Sequence, residues 1–242
     1  MRRKGGFSTV LLGGVLLVLL VGTIVVALAL SGHIQMEGLS PSRKAAGKLV
    51  EVGRFNAGAI VVKNVVGDVR LVESNVSGVV VRSNIPLNTS YRDGLLTVYC
   101  PDRKIILGRH NVCSDYRNGT VVIEVGSSLA DVWFRGLVGN VEIEADATRV
   151  LAEDVVGDIV AAPAAEYRLE NVVGDVSIVA GNDVVIRDVV GDVAIAVPAN
   201  LSVQLSAEDI VGDVRNSHSG DGMPILISVS DVVGDVTVGN GF

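Results

Sequence analysis

The strongest constraint on this chain is a hexapeptide that keeps returning, seen most clearly as Asn171-Val172-Val173-Gly174-Asp175-Val176. Copies begin at Asn64, Asp154, Asn171, Asp188, Asp209 and Asp231, with a divergent copy, Gly136-Leu137-Val138-Gly139-Asn140-Val141, between the first two. From Gly136 onward the starts are 18, 17, 17, 21 and 22 residues apart. A period in this range marks a stacked repeat, because a unit so short cannot bury its own apolar face and must lay it on its neighbours.

The shortest unit shows the plan. Val176, Ile178 and Ala180 fall on one face and Ser177 and Val179 on the other, and after Gly181-Asn182 a second run, Asp183-Val184-Val185-Ile186-Arg187, repeats the alternation. Each unit therefore offers two short strands and two turns. The fixed turn is Gly-Asp, where Gly takes a positive φ without a Cβ penalty and the short Asx side chain bonds nearby amides. Its members are Gly67-Asp68, Gly157-Asp158, Gly174-Asp175, Gly191-Asp192, Gly212-Asp213 and Gly234-Asp235. The longer units place their extra residues at or near the other turn. Composition agrees: 49% of the residues are hydrophobic but only 4% aromatic, so the core is built from small, β-branched strand formers.

The expected fold is all-β, a β-solenoid of two-strand coils in parallel register, with an open edge at each end and Gly239-Asn240-Gly241 turning the last strand aside. Residues 136–242 read as regular coils. Residues 73–135 read as irregular, hairpin-bearing coils, with strands over 79–82, 95–100, 120–125 and 131–134 and a loop over 101–111. That region concentrates Arg82, Arg92, Arg103, Lys104, Arg109 and Arg117. These residues escape the repeat, which makes them the leading candidates for recognition.

The N-terminal 48 residues have another character. Arg2, Arg3 and Lys4 form a basic tail over 1–6, and residues 7–30 are an uncharged apolar run long enough for a transmembrane helix or signal anchor. The positive tail favours a cytoplasmic N-terminus and an extracytoplasmic domain over 49–242, with 31–48 as a tether. Ala27-Leu28-Ala29 is the alternative, a cleavage site. Lys4-Gly5-Gly6-Phe7-Ser8-Thr9 resembles the class III signal of archaeal type IV pilins. That resemblance implies cleavage near Gly5 or Gly6 and polymerisation into a filament through the apolar helix.

Several functions are disfavoured. The net charge of −7 conceals an acidic C-terminal region, where residues 124–242 carry five basic and twenty acidic side chains. Such a surface repels phosphate backbones, so nucleic acid is not an expected partner. The stacked Asp residues repel one another unless capped by turn amides and solvent or neutralised by Ca²⁺, which leaves a Ca²⁺-dependent binding module as an alternative. His33, His110 and His218 have neither metal-ligand nor triad spacing, so no catalytic residue, metal ligand or cofactor site is assigned and no enzyme is expected. Cys100 and Cys113 read as one disulfide if the domain is exported and as two buried thiols if it is not. Asn75, Asn88, Asn118 and Asn200 each start an N-glycosylation sequon.

From about Leu49 the chain resembles the DUF4097 family of adhesin-like β-solenoids. The resemblance rests on the Gly-Asp-Val units, on the early coil followed by longer hairpins, and on Val193-Ala194-Ile195-Ala196-Val197-Pro198 followed by 201–214. It departs at Gly126-Ser127-Ser128, where the family pattern has Val-Pro. The family implies a surface-exposed or envelope-associated solenoid, often beside a membrane segment; the expected role is non-enzymatic adhesion, interaction or structure, with a protein or glycan partner at the cell surface. It supplies no functional residue to carry over, and the oligomeric state stays open.

Overall fold

The computed structural model describes residues 43–105 and 108–240; the expected membrane helix, its basic tail, the pilin-like signal and His33 lie outside the described residues. Among the described residues no helix is long and apolar enough to cross a membrane. The unit is all-β, with one 3₁₀ turn at Val112–Asp115.

Two parallel ladders run the length of the unit. The first contains Leu95–Tyr99, Ala59–Lys63, Leu129–Val138, Ala147–Val156, the second half of Ile159–Val173, Val184–Val190, Met223–Val233 and Leu201–Val211. The second contains Thr120–Val125, Asp68–Glu73, Val141–Ile143, the first half of Ile159–Val173, Val176–Ala180, Val193–Val197, Val236–Asn240 and Val214–Asn216. Equivalent residues of stacked repeats lie opposite one another, as in Val141↔Ile159↔Val176↔Val193. Val176, Ile178 and Ala180 are buried while Ser177 is exposed, as the alternation requires.

The stacking order departs from chain order at both ends. The strands at 223–240 insert between the 184–197 coil and the 201–216 coil, so Val236–Asn240 pairs on both edges. The expectation that the C-terminus turns away from further pairing is therefore overturned. The terminal coil is 201–216, where Asn216 occupies the site that Val238 fills in the coil beneath it. At the other end, the first coil is covered on one side by 129–143 and on the other by Leu95–Tyr99 and Thr120–Val125. Antiparallel strands close that end: Val79–Ser83 on Thr120–Val125, Val50–Phe55 on Val79–Ser83, and Asn88–Arg92 on Leu95–Tyr99. An open parallel edge is thus found at one end only. Lys44–Ala45, within the expected tether, pairs with Tyr116–Arg117 and belongs to the folded unit.

The core is a narrow aliphatic column with two large aromatic exceptions, Phe134 and Tyr167. Phe134 faces Val62 and Ala152 in the neighbouring strands, so a small side chain makes room for the ring. Tyr167 lies between Val150 and Val184 and donates its hydroxyl to the Ala162 carbonyl beside a register shift. Burial holds its hydroxyl above the ordinary tyrosine range.

The 102–111 excursion is a hairpin, Asp102–Ile105 against Gly108–Asn111. Cys100 and Cys113 are bonded at its base, with Cα atoms 5.8 Å apart. Both are buried in the core, so the crosslink ties the hairpin to the stack. Replacing the pair by alanine is expected to cost about 3 kcal/mol through lost loop-closure entropy. Urea denaturation of the variant against the disulfide-bonded wild type checks the figure.

Candidate functional site

The repeated hexapeptide is explained almost entirely by architecture. Its first residue takes a left-handed conformation at Asn64, Asp154, Asn171, Asp188, Asp209 and Asp231, with φ between 53° and 58°. Asn and Asp tolerate this region better than other side chains do. Gly136 holds the same place with φ 63°, so the divergent copy keeps the conformation by other means. The second residue is buried in six of the seven copies, as Val65, Leu137, Val155, Val172, Val189 and Val232, and is half-buried as Ile210 in the terminal coil. Gly at the fourth place brings the turns of successive coils against one another, and a Cβ on Gly174 would collide with the Gly157 carbonyl.

The Asp at the fifth place accepts from the next coil. Asp68 Oδ1 takes the Asn140 amide (2.9 Å), Asn140 that of Asp158 (3.0 Å), Asp158 that of Asp175 (2.9 Å), and Asp175 that of Asp192 (2.9 Å). The series continues from Asp192 to the Asp235 amide (2.8 Å) and from Asp235 to the Asp213 amide (2.9 Å). The capping anticipated within each turn therefore acts between turns. Among the described residues, no three His, Cys, Asp or Glu side chains converge as a metal-binding group. Asp175→Ala should cost about 1 kcal/mol by leaving the Asp192 amide without its acceptor, whereas Asp175→Asn should cost nothing, since Asn140 already serves in the column. Thermal denaturation of the two variants separates hydrogen bonding from charge.

The basic residues of 82–117 come together only in part: on the hairpin Lys104 lies opposite Arg109 and Arg103 opposite His110. Arg82 pairs with Glu124 (2.8 Å) and lies 3.9 Å from Glu51, while Arg103 and Arg109 pair within the hairpin region with Asp115 (3.6 Å) and Asp102 (3.9 Å). His110 hydrogen-bonds Asp115 (2.6 Å). That bond, helped by Arg103 and Lys44 and opposed by desolvation, holds the Asp115 carboxyl below its ordinary range. His218 Nε2 lies 2.8 Å from the Leu201 carbonyl, in the loop beside the terminal coil. Asn75, Asn88, Asn118 and Asn200 are all exposed.

What the fold does present is the outer face of the first ladder. There Trp133, the sole tryptophan of the chain, is 47% exposed in a groove of about 440 Å³. Val132 and Phe134 point inward, so strand alternation sends the indole out. Val61 and Leu151 lie opposite it on the two neighbouring strands. Two ion pairs flank it, Arg149–Asp131 (2.6 Å) on one side and Arg135–Glu153 (3.3 Å) on the other. The Asp131 hydrogen bond raises the Arg149 pKa, so the guanidinium stays charged. Lys63, also lining the groove, sits 5.5 Å over the Tyr99 ring. The sequence reading missed this site. Its signal was present in a lone Trp beside Phe in an alternating strand, where one of the two rings must face outward.

No protein-family model matches the chain, and neither does any curated protein. Solved structures with a similar chain path include a provisionally named cell adhesion protein from Clostridium sporogenes, 14% identical, with 80% of this chain and 98% of that one aligned at a TM-score of 0.48. A provisionally named lipid-binding protein from Parabacteroides distasonis is 14% identical over 83% of this chain and 98% of its own, with a TM-score of 0.36. A provisionally named adhesin from the same organism is 14% identical over 81% and 100%, with a TM-score of 0.38. These are likenesses of chain path, and no binding partner of this chain follows from them.

Proposed function

We propose that this chain is a non-enzymatic surface interaction protein: a rigid β-solenoid of the DUF4097 type, held outside a cell membrane by residues 7–30 and presenting its outer faces to a partner. One observation supports this reading above the others. The Asp and Gly residues that first suggest chemistry are consumed by stacking the coils, while the chain's one tryptophan is left half-exposed in a groove on the stack. Exposed aromatics bracketed by Arg are enriched at recognition surfaces. The exposed sequons and the bonded cysteines suit an oxidising, extracytoplasmic location.

The test is made on intact cells expressing the full chain. A membrane-impermeant amine reagent should label Lys63 and Lys104, both exposed, and intact mass of the membrane-extracted protein should retain residues 1–30. Absence of labelling before lysis, or recovery of a mature chain in the soluble fraction, would refute the anchored surface reading.

A further inference from the structure

The Trp133 groove has a chemistry specific enough to name its ligand class, and we infer that it binds a neutral polysaccharide by stacking a sugar ring on the indole. This deepens the interaction role proposed above and rests on it.

The first argument is charge. Although the chain as a whole is acidic, the guanidiniums around Trp133 are matched: Arg149 is bridged to Asp131, Arg135 to Glu153, and Arg168 lies 3.7 Å from Glu170, while Lys63, the remaining cation of the groove, sits over the Tyr99 ring. An anionic ligand would have to compete with carboxylates already seated on the guanidiniums, and a cationic ligand would meet the converse obstacle. A purely apolar ligand would strip water from the charged groups around the indole without replacing its hydrogen bonds. A neutral polyol avoids all three conflicts.

The second argument is spare hydrogen-bonding capacity. Arg149 reaches Asp131 through Nε, and Arg135 reaches Glu153 through Nε and Nη2, at 3.3 and 3.5 Å. A guanidinium has five N–H donors and a carboxylate about four lone-pair sites, so both bridges can take further partners without breaking. Hydroxyls, which donate and accept, can bond the arginine and carboxylate of one bridge together. The third argument is shape. Trp133 lies between Val61 and Leu151 on three strands about 4.8 Å apart. This gives a flat apolar strip roughly 10 Å across with polar groups on both long sides. A pyranose has the complementary form, a C–H face rimmed by hydroxyls, and the electron-rich indole face attracts such C–H groups.

Because Trp133 is the only tryptophan, its intrinsic fluorescence reports this site alone. The purified full chain in detergent, with the disulfide intact, would be titrated with mannan, dextran and a soluble β-1,3-glucan, with polygalacturonate and polylysine as charged comparisons. Saturable change in the emission is expected with at least one neutral polysaccharide and with neither charged polymer. In affinity electrophoresis, Trp133→Ala should weaken retardation by that polysaccharide at least tenfold and Arg149→Ala by a smaller factor. Circular dichroism of both variants should match the wild type. The inference is overturned if none of the three neutral polymers changes the emission, or if Trp133→Ala is retarded like the wild type. A response confined to polylysine or polygalacturonate would overturn it as well and assign the groove to a charged partner. Surface labelling on intact cells is independent of these titrations. Positive labelling with negative titrations therefore removes the ligand class alone, whereas negative labelling removes the surface role.

Discussion

Replacing Phe134 by alanine is expected to destabilise the folded unit by about 3–5 kcal/mol, the usual cost of emptying a buried aromatic site. The ring is 1% exposed and faces Ala152 and Val62, side chains too small to fill the space it would leave. The adjacent Trp133→Ala should change stability by less than about 1 kcal/mol, because half the indole is already in water. Urea denaturation of the two variants tests the alternation of the Leu129–Val138 strand directly. Equal losses would mean that the face assignment is wrong. The same comparison matters for ligand binding, since it predicts that Trp133→Ala can be studied as a folded protein.

The second large effect is expected at Gly174, where alanine should cost about 3 kcal/mol or more. Two causes add. The residue has φ 145°, which side-chain-bearing residues adopt only under strain, and its Cβ would be driven into the Gly157 carbonyl, a backbone atom fixed by the coil below. Neither coil can retreat alone, since Gly174 N–H donates to Val190 O at 2.9 Å and Gly157 N–H to Val173 O at 2.9 Å. For a unit of this size, each kcal/mol lowers Tm by roughly 2–4 °C, so a fall of about 6–12 °C is expected. Gly94 provides the control. It too has positive φ, 78°, but a Cβ there meets nothing within 4 Å, and Gly94→Ala should cost only about 1 kcal/mol. Equal losses at the two sites would show that inter-coil crowding is not the reason for the glycine column.

The legible part of the fold was whatever one coil determines by itself. Alternation in Val176, Ser177, Ile178, Val179 and Ala180 fixes which side chains enter the core, and the spacing of the Gly-Asp pairs fixes register. Even the divergent copy could be read physically. Gly136 replaces an Asx where the backbone needs positive φ, and Asn140 replaces an Asp where the next coil needs an acceptor.

The order of the coils was not legible, for the same reason. Every coil offers its neighbours the same edge pattern and nearly the same apolar column, so the motif specifies how to stack without specifying on which partner. The exchange of 201–216 with 223–240 is a tertiary choice that leaves no mark in the hexapeptide. The Trp133 groove is intermediate. Its outward indole follows from strand alternation, but the two bridges beside it join residues 18 apart, Asp131 with Arg149 and Arg135 with Glu153. Those pairings become visible only after the coils have been laid in register.

That exchange also sets a timetable. A chain made from its N-terminus can add coils one at a time as far as residue 197, each landing on a finished template. The segment 201–216 then emerges with its eventual partner still unmade, because Leu201–Val211 and Val214–Asn216 pair only with strands from 223–240. These residues gain an edge to join only once 223–240 has been made and seated ahead of them. Assembly of this end therefore needs both coils together, and a chain cut before residue 223 would leave 201–216 without the strands it pairs with.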